Sequence, residues 1–259
     1  MKSTIIINEF QSLKKPPKQI YYKGNLELLK MPKIGIVGSR KMSVYTKNLV
    51  QIIAKKLSNA GICIVSGGAI GVDIESAKAS LPYHIGIFAN GLNEIYPKSN
   101  EQIIKQIYAN ALALSENEPN YIPLKHDFLE RNRLVVALSD ALIIAQASLK
   151  SGSLNSAKHA LELNKDIYVL PQRINESDGT NELLANYKAK IIYDIDIFLE
   201  QMKERLSMQK CYIDEKDDFL EFCKNGVSLD EALEKYGDLV YDYELDGKII
   251  IDGVLIRTV

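Results

Sequence analysis

Ile62-Cys63-Ile64-Val65-Ser66-Gly67-Gly68-Ala69-Ile70-Gly71-Val72-Asp73 is the stretch on which the reading of this chain turns. It opens with a continuous apolar run, not an alternating one, as expected of a strand buried on both faces of a parallel sheet. Two adjacent glycines then end the strand, and a third precedes the next helical pattern. Such a turn leaves backbone N–H groups free to face an anion. The spacing departs from the dinucleotide fingerprint G-x-G-x-x-G, because Gly67 and Gly68 are adjacent and no acid closes the following strand. It is not a Walker loop either, since no Gly-Lys-Ser/Thr follows.

Working outward, similar apolar runs recur at Ile34–Val37, Ile85–Phe88, Leu112–Leu114, Ala141–Ala145, Ile167–Leu170 and Ile191–Tyr193. Amphipathic helical patterns lie between them at Tyr45–Asn59, Phe128–Leu138, Ser153–Leu163 and Thr180–Lys188. Strand and helix in alternation imply right-handed βαβ units and an α/β fold, an extended Rossmann-like, doubly wound, mostly parallel sheet. Ligands of such sheets bind outside the carboxyl ends of the strands, where the βα loops lie.

The domain boundaries expected from these patterns are a lead-in segment at 1–32, the Rossmann-like body at 33–200, a polar linker at 201–216 and a small domain at 217–259. In the last of these, short helical patterns at Asp218–Lys224, Ser228–Tyr236 and Asp238–Leu245 precede a hairpin signal, Asp252-Gly253 between two β-rich runs. Three helices and a hairpin resemble a winged-helix module.

Several function classes are excluded early. The apolar and charged fractions, 46% and 25%, are ordinary for a globular protein. No run of about 18 apolar residues predicts a membrane span, and Met1–Ile5 carries no signal-peptide core. Cys63, Cys211 and Cys223 form no CxxC or metal-ligand spacing and fit reduced thiols of a cytoplasmic protein. The net charge of −1 conceals an asymmetry: residues 1–199 hold 24 Lys and Arg against 18 Asp and Glu, residues 200–259 hold 8 against 15. A polyanion is therefore expected on the body and not on the acidic C-terminal region. His84, His126 and His159 have no serine, cysteine or carboxylate at a catalytic spacing, so no catalytic residue, metal or cofactor is predicted.

The βα loops carry the candidate chemistry. Gly38-Ser39-Arg40 supplies a close backbone approach, a hydroxyl and a planar cationic fork. Ser66-Gly67-Gly68 supplies the anion-facing turn. Lys125, Phe128, Arg131, Asn132 and Arg133 combine cations with one aromatic, the mixture that grips the phosphates and bases of a single strand. Lys150, Ser151, Gly152 and Ser153 place a charge and short hydroxyl residues at a helix start. An amphipathic helix with Phe128 turned inward and the arginines paired to Asp127 and Glu130 is the structural alternative for the third group.

Together these loops resemble the DNA-processing protein A family (DprA/Smf). The matching motifs, in family order, are Gly38-Ser39-Arg40, Ser66 to Asp73, Ile95-Tyr96-Pro97, Leu114-Ser115-Glu116, Phe128 to Arg133, Ser151-Gly152-Ser153 and Gly179 to Leu183. The resemblance implies a non-enzymatic protein that binds single-stranded DNA without a cofactor, forms homodimers and helps load the RecA recombinase during natural transformation. It assigns the DNA-contacting arginine to Arg40, and a lysine and aromatic to Lys125 and Phe128, with Ser66–Gly68 and Arg131–Arg133 completing the pocket. This sequence departs from the family at Pro171-Gln172, where Pro-Gly is usual, and in having only about 30 residues before the body, where many members carry a helical domain. Two rivals remain, a nucleotide-sensing module that binds a small ligand for regulation and an enzyme on a related fold, a nucleoside monophosphate phosphoribohydrolase. Asp73 or Glu116 would be its acid.

Overall fold

A computed structural model describes residues 4–224 and 226–258, without the side chains of 208–218. Cys211 and part of the expected linker fall outside the described side chains. The chain divides into two compact units, Met1–Leu199 and Glu200–Val259.

The first unit is built on a nine-stranded sheet. Its strands are β1 (Thr4–Ile5), β2 (Ile20–Gly24), β3 (Lys33–Val37), β4 (Cys63–Ser66), β5 (His84–Ile87), β6 (Leu112–Ser115), β7 (Ala141–Ile144), β8 (Ile167–Val169) and β9 (Lys190–Ile191). Helices α1 (Val44–Asn59), α2 (Val72–Ser80), α3 (Glu101–Asn110), α4 (Asp127–Leu138), α5 (Gly152–Glu162) and α6 (Asp178–Ala185) connect them. The strand order is β1-β2-β6-β5-β4-β3-β7-β8-β9. From β6 to β9 every neighbouring pair is parallel. The chain winds from β3 outward to β6, then crosses back to β7 on the other side of β3, which makes β3 the switch point at which a ligand crevice forms. The α/β, mostly parallel, doubly wound architecture expected from the apolar runs is the one observed.

Local chemistry sets the helix ends. Ser43 caps α1, its Oγ accepting from Thr46 N at 3.1 Å, and Val50, Ile53, Ala54 and Leu57 give that helix its buried stripe. Lys165 closes α4 from outside: its ammonium donates to the carbonyls of Ala137 and Ser139 at 2.6 Å each, where the helix dipole favours a cation. His84 is a core residue, fully buried, with Nε2 3.2 Å from Ser66 Oγ and Nδ1 3.0 Å from Ser80 Oγ.

The lead-in expected at 1–32 is more than a tether. β2 pairs antiparallel with β6, matching Tyr21 to Ser115 and Tyr22 to Leu114. It covers the edge of β6, which would otherwise stay open, and its own Ile20 and Tyr21 are buried, as is Phe10 earlier in the lead-in. Surrounding lysines and prolines hid so short an apolar run. Residues 201–216, expected as a linker, lie within one helix, α7 (Ile195–Cys223). Its sequence is charged but holds neither Gly nor Pro and is rich in Glu, Lys, Gln and Leu, all good helix formers. Polarity alone was a poor guide there.

In the second unit, β10 (Val227–Ser228), α8 (Leu229–Tyr236), α9 (Leu239–Leu245), β11 (Ile249–Asp252) and β12 (Leu255–Thr258) follow α7. The three strands form an antiparallel sheet in the order β10-β12-β11. Phe219 anchors its core, its ring 5.1 Å from those of Tyr236 and Tyr243. Ser228 and Glu231 form a reciprocal capping box at the start of α8. The hairpin turns on Gly253-Val254, with Asp252 paired to Leu255 across it.

Candidate nucleic-acid interface

At the carboxyl ends of β3, β4 and β7 the loops enclose a cleft of about 360 Å³. Beside it lies a smaller pocket of about 40 Å³ that shares Arg40, Ala69, Phe128 and Arg131. Two glycines explain how the loops come so close. Gly71 has φ +92°, a conformation favourable only to glycine, and a Cβ there would lie 2.2 Å from Ser39 O. The β4–α2 turn thus rests directly on the β3–α1 turn. A Cβ on Gly67 would lie 2.3 Å from Arg131 Cζ, so only glycine admits the guanidinium beneath the turn.

Arg131 and Asp73 hold these turns from inside. Arg131 is 4% exposed, and its Nη1 donates to the carbonyls of Gly67 and Ile87. Asp73 is 6% exposed, and its Oδ2 accepts from Gly67 N at 2.9 Å. Burial pushes the Asp73 carboxyl above the usual carboxylate range, while Arg131 and the N–H groups of Gly67, Ala69 and Gly38 work against that shift. Burial likewise lowers Arg131, opposed by Asp73. These charges are spent on the fold, each compensated by the other and by backbone dipoles.

The exposed cations differ. Arg40 and Lys125 are exposed, line the cleft, and have no hydrogen-bond or ion-pair partner among the described residues. Ser39 holds its own turn, its Oγ donating to Lys41 O at 2.8 Å and accepting from Lys41 N at 3.0 Å. Phe128 is half-buried, and its ring centroid lies 5.3 Å from that of Tyr96, tilted by 42°. Tyr96 is 49% exposed. The two rings and Ile70 give the smaller pocket an apolar, aromatic wall.

Among the residues singled out from sequence, Gly38, Ser39, Arg40, Lys125, Phe128, Arg131, Asn132, Ser151, Gly152 and Ser153 line the cleft, and Gly67 and Gly68 line the adjoining pocket. Three are placed elsewhere. Ser66 is fully buried and faces Asp73 O and His84. Arg133 forms a two-pronged pair with Glu116, Nη1 to Oε1 at 3.2 Å and Nη2 to Oε2 at 2.7 Å. Lys150 is exposed on the turn before α5 but does not line the cleft. Asn132 ties α4 to α5, donating to Gly152 O at 3.2 Å.

Tyr96 and Ile70, which belong to the family motifs but were not among the expected binding residues, line the site together with Asn90 and Ser156, which the sequence did not single out. Tyr96 carried a signal, an aromatic before proline in a βα loop. Ser156 carried none, since a serine one turn inside a helix looks like any other. Among the described residues no cluster of His, Cys, Asp and Glu could hold a metal ion, and no helix is long and apolar enough to cross a membrane.

Comparison with known proteins agrees with the loops. DNA processing protein DprA of Bacillus subtilis (strain 168) is 35% identical over 200 residues, 75% of this chain and 67% of that protein. The DprA of Streptococcus pneumoniae is 35% identical over 189 residues, 71% of this chain and 67% of that one, and a crystal structure of pneumococcal DprA superposes with a TM-score of 0.71 over 75% of this chain and 72% of that one at 33% identity. DNA processing protein A of Helicobacter pylori, whose structure was described for its single-stranded DNA binding mode, superposes with a TM-score of 0.77 at 45% identity, over 79% of this chain and 99% of that one. Residues 5–203 match the sequence model of DNA recombination-mediator protein A, and the chain belongs to that family.

Proposed function

We propose that this protein binds single-stranded DNA in the cleft at the carboxyl ends of β3, β4 and β7. The observation that carries the proposal is the juxtaposition of Arg40 and Lys125, two cations without a partner among the described residues, with the exposed ring of Tyr96 and the half-buried ring of Phe128. Unpaired cations exchange condensed counterions for phosphates. Exposed rings offer stacking faces to bases, and bases are exposed only when a strand is unpaired. The single-stranded DNA binding of the Helicobacter pylori relative supports the same reading.

Membership of the family extends the proposal to a homodimer that loads RecA on incoming strands in the cytoplasm, with a winged-helix-like second unit that serves partners more than DNA. A non-enzymatic role is favoured over phosphoribohydrolase chemistry. Asp73 is buried under Arg131 and backbone N–H groups, and Glu116 is clamped by Arg133, so neither carboxylate is left to act on a ribose. Fluorescence anisotropy with labelled oligothymidine and with a duplex of equal length tests the reading. Tighter binding of the single strand is expected. Equal affinity for both, or release of free base from nucleoside monophosphates, would overturn it.

A further inference from the structure

One wall of the cleft contains polar groups that bracing does not use. Ser156 lies one turn inside α5, is 1% exposed and lines the cleft, yet its Oγ has no hydrogen-bond partner among the described residues. A serine inside a helix ordinarily donates to the carbonyl three or four residues back. The carbonyl four back, that of Gly152, already accepts from Asn132. Ser151 repeats the anomaly. It stands at the N-cap of α5 but makes no side-chain cap bond, and its Oγ is also buried without a partner. An N-cap serine normally accepts from the second or third N–H of its helix. Here the N–H groups of Gly152 and Ser153 have no acceptor among the described residues.

Donors without acceptors therefore accumulate at the positive end of an 11-residue helix. Ser153, 8% exposed, adds a third hydroxyl lining the cleft. Arg40 and Lys125 line it too, and the one carboxylate lining it among the described residues, Asp73, is occupied by the N–H of Gly67. A buried hydroxyl left unpaired is costly, and a tetrahedral oxyanion has enough acceptor oxygens to serve hydroxyls and N–H groups together.

We infer that the first turns of α5, with the hydroxyls of Ser151, Ser153 and Ser156, form a phosphate subsite inside the cleft. The inference rests on the single-strand reading for its ligand, a phosphodiester of the bound strand. Arg40 and Lys125 supply long-range attraction. The α5 subsite fixes where one phosphate sits, and so sets the register of the base that enters the aromatic pocket.

The test uses the full chain and Ser156→Ala. Removing a hydroxyl that satisfies nothing should leave the ligand-free melting temperature unchanged or slightly raised. Affinity for oligothymidine should fall about tenfold, as for a lost hydrogen bond to a charged group. Millimolar inorganic phosphate should raise the melting temperature of the parent protein more than that of the variant. Unchanged oligothymidine affinity in Ser156→Ala, or a lowered ligand-free melting temperature, would show that the hydroxyl is structural and overturn the subsite. If the parent protein fails to bind oligothymidine while phosphate protects it and not the variant, the subsite stands and the single-strand reading falls.

Discussion

Replacing Arg131 separates charges that build the site from charges that bind at it. Arg131→Met keeps the apolar stem and removes the guanidinium. The carbonyls of Gly67 and Ile87 lose a charged donor, and Asp73 remains buried without its cation. Breaking a buried charge pair from one side costs about 3–5 kcal/mol. Asp73→Asn in the same background should recover part of that loss, because the uncompensated charge goes with it, and the double-mutant cycle should show a coupling of about 1–2 kcal/mol. Urea denaturation followed by far-ultraviolet circular dichroism measures both; the chain has no tryptophan to report unfolding. The second readout is the salt dependence of oligothymidine binding in conditions where the variant is folded. A brace makes no ion pair with phosphate, so affinity falls while the slope of log K against log salt stays that of the parent. If stability changes by less than about 1 kcal/mol and the slope drops by about 0.7, as for one lost phosphate contact on a single strand, Arg131 is a DNA ligand and the bracing account is wrong.

Arg40→Ala and Lys125→Ala should do the reverse, each reducing the salt slope by about 0.7 with little effect on stability; unchanged slopes in both would count against an electrostatic cleft. Phe128→Ala should weaken oligothymidine binding by about 1–3 kcal/mol if the ring stacks on a base, whereas a lowered melting temperature with binding intact would make it a core residue. Burial pushes His84 down to about 3 from 6.5, so the unfolded chain takes up a proton as pH falls below 6.5 and the folded protein does not. Its contribution is complete above pH 6.5 and is lost on acidification at up to 1.36 kcal/mol per unit, about 2 kcal/mol by pH 5; His84→Gln should flatten that part of the stability profile, and an unaltered profile would assign the acid sensitivity elsewhere. Truncation after Ser207 should leave oligothymidine affinity within a few-fold of the full chain, because the removed part is acidic. A loss of more than tenfold with the body still folded by circular dichroism would make the second unit a DNA reader.

Much of the body was legible because buried parallel strands write themselves as continuous apolar runs. The run Ile34–Val37 became Lys33–Val37 and Leu112–Leu114 became Leu112–Ser115, shifts of a single residue. β1 and β2 were missed because they are short and lie outside the parallel set, and the buried Ile20-Tyr21 pair is flanked by lysines and prolines with no longer apolar run around it. α7 is hard to read because its charged residues resemble a linker, and the lack of Gly and Pro is the better guide. In the site, residue type revealed which loops matter but not which cations are free. Arg131 and Arg133 are two positions apart on one helix. One turns under Gly67, and the other pairs with Glu116 from the end of β6. Nothing in Phe128–Arg133 distinguishes those fates from that of Arg40, since the partners come from elsewhere in the sheet.

That division follows from desolvation. A cation that has been stripped of water and bonded to carbonyls, as Arg131 has, with the buried charge of Asp73 acting on it, offers little to an incoming phosphate. Any new contact would trade against bonds already made. A hydrated cation such as Arg40 or Lys125 loses few bonds on meeting a phosphate and releases counterions when it does. The fold therefore needs both kinds in one place. Buried charges pin three βα loops at distances only glycine permits, and exposed charges occupy the rim those loops create. A substitution among the first should act through stability and loop position, and one among the second through salt dependence. The two classes are separable in a single set of titrations.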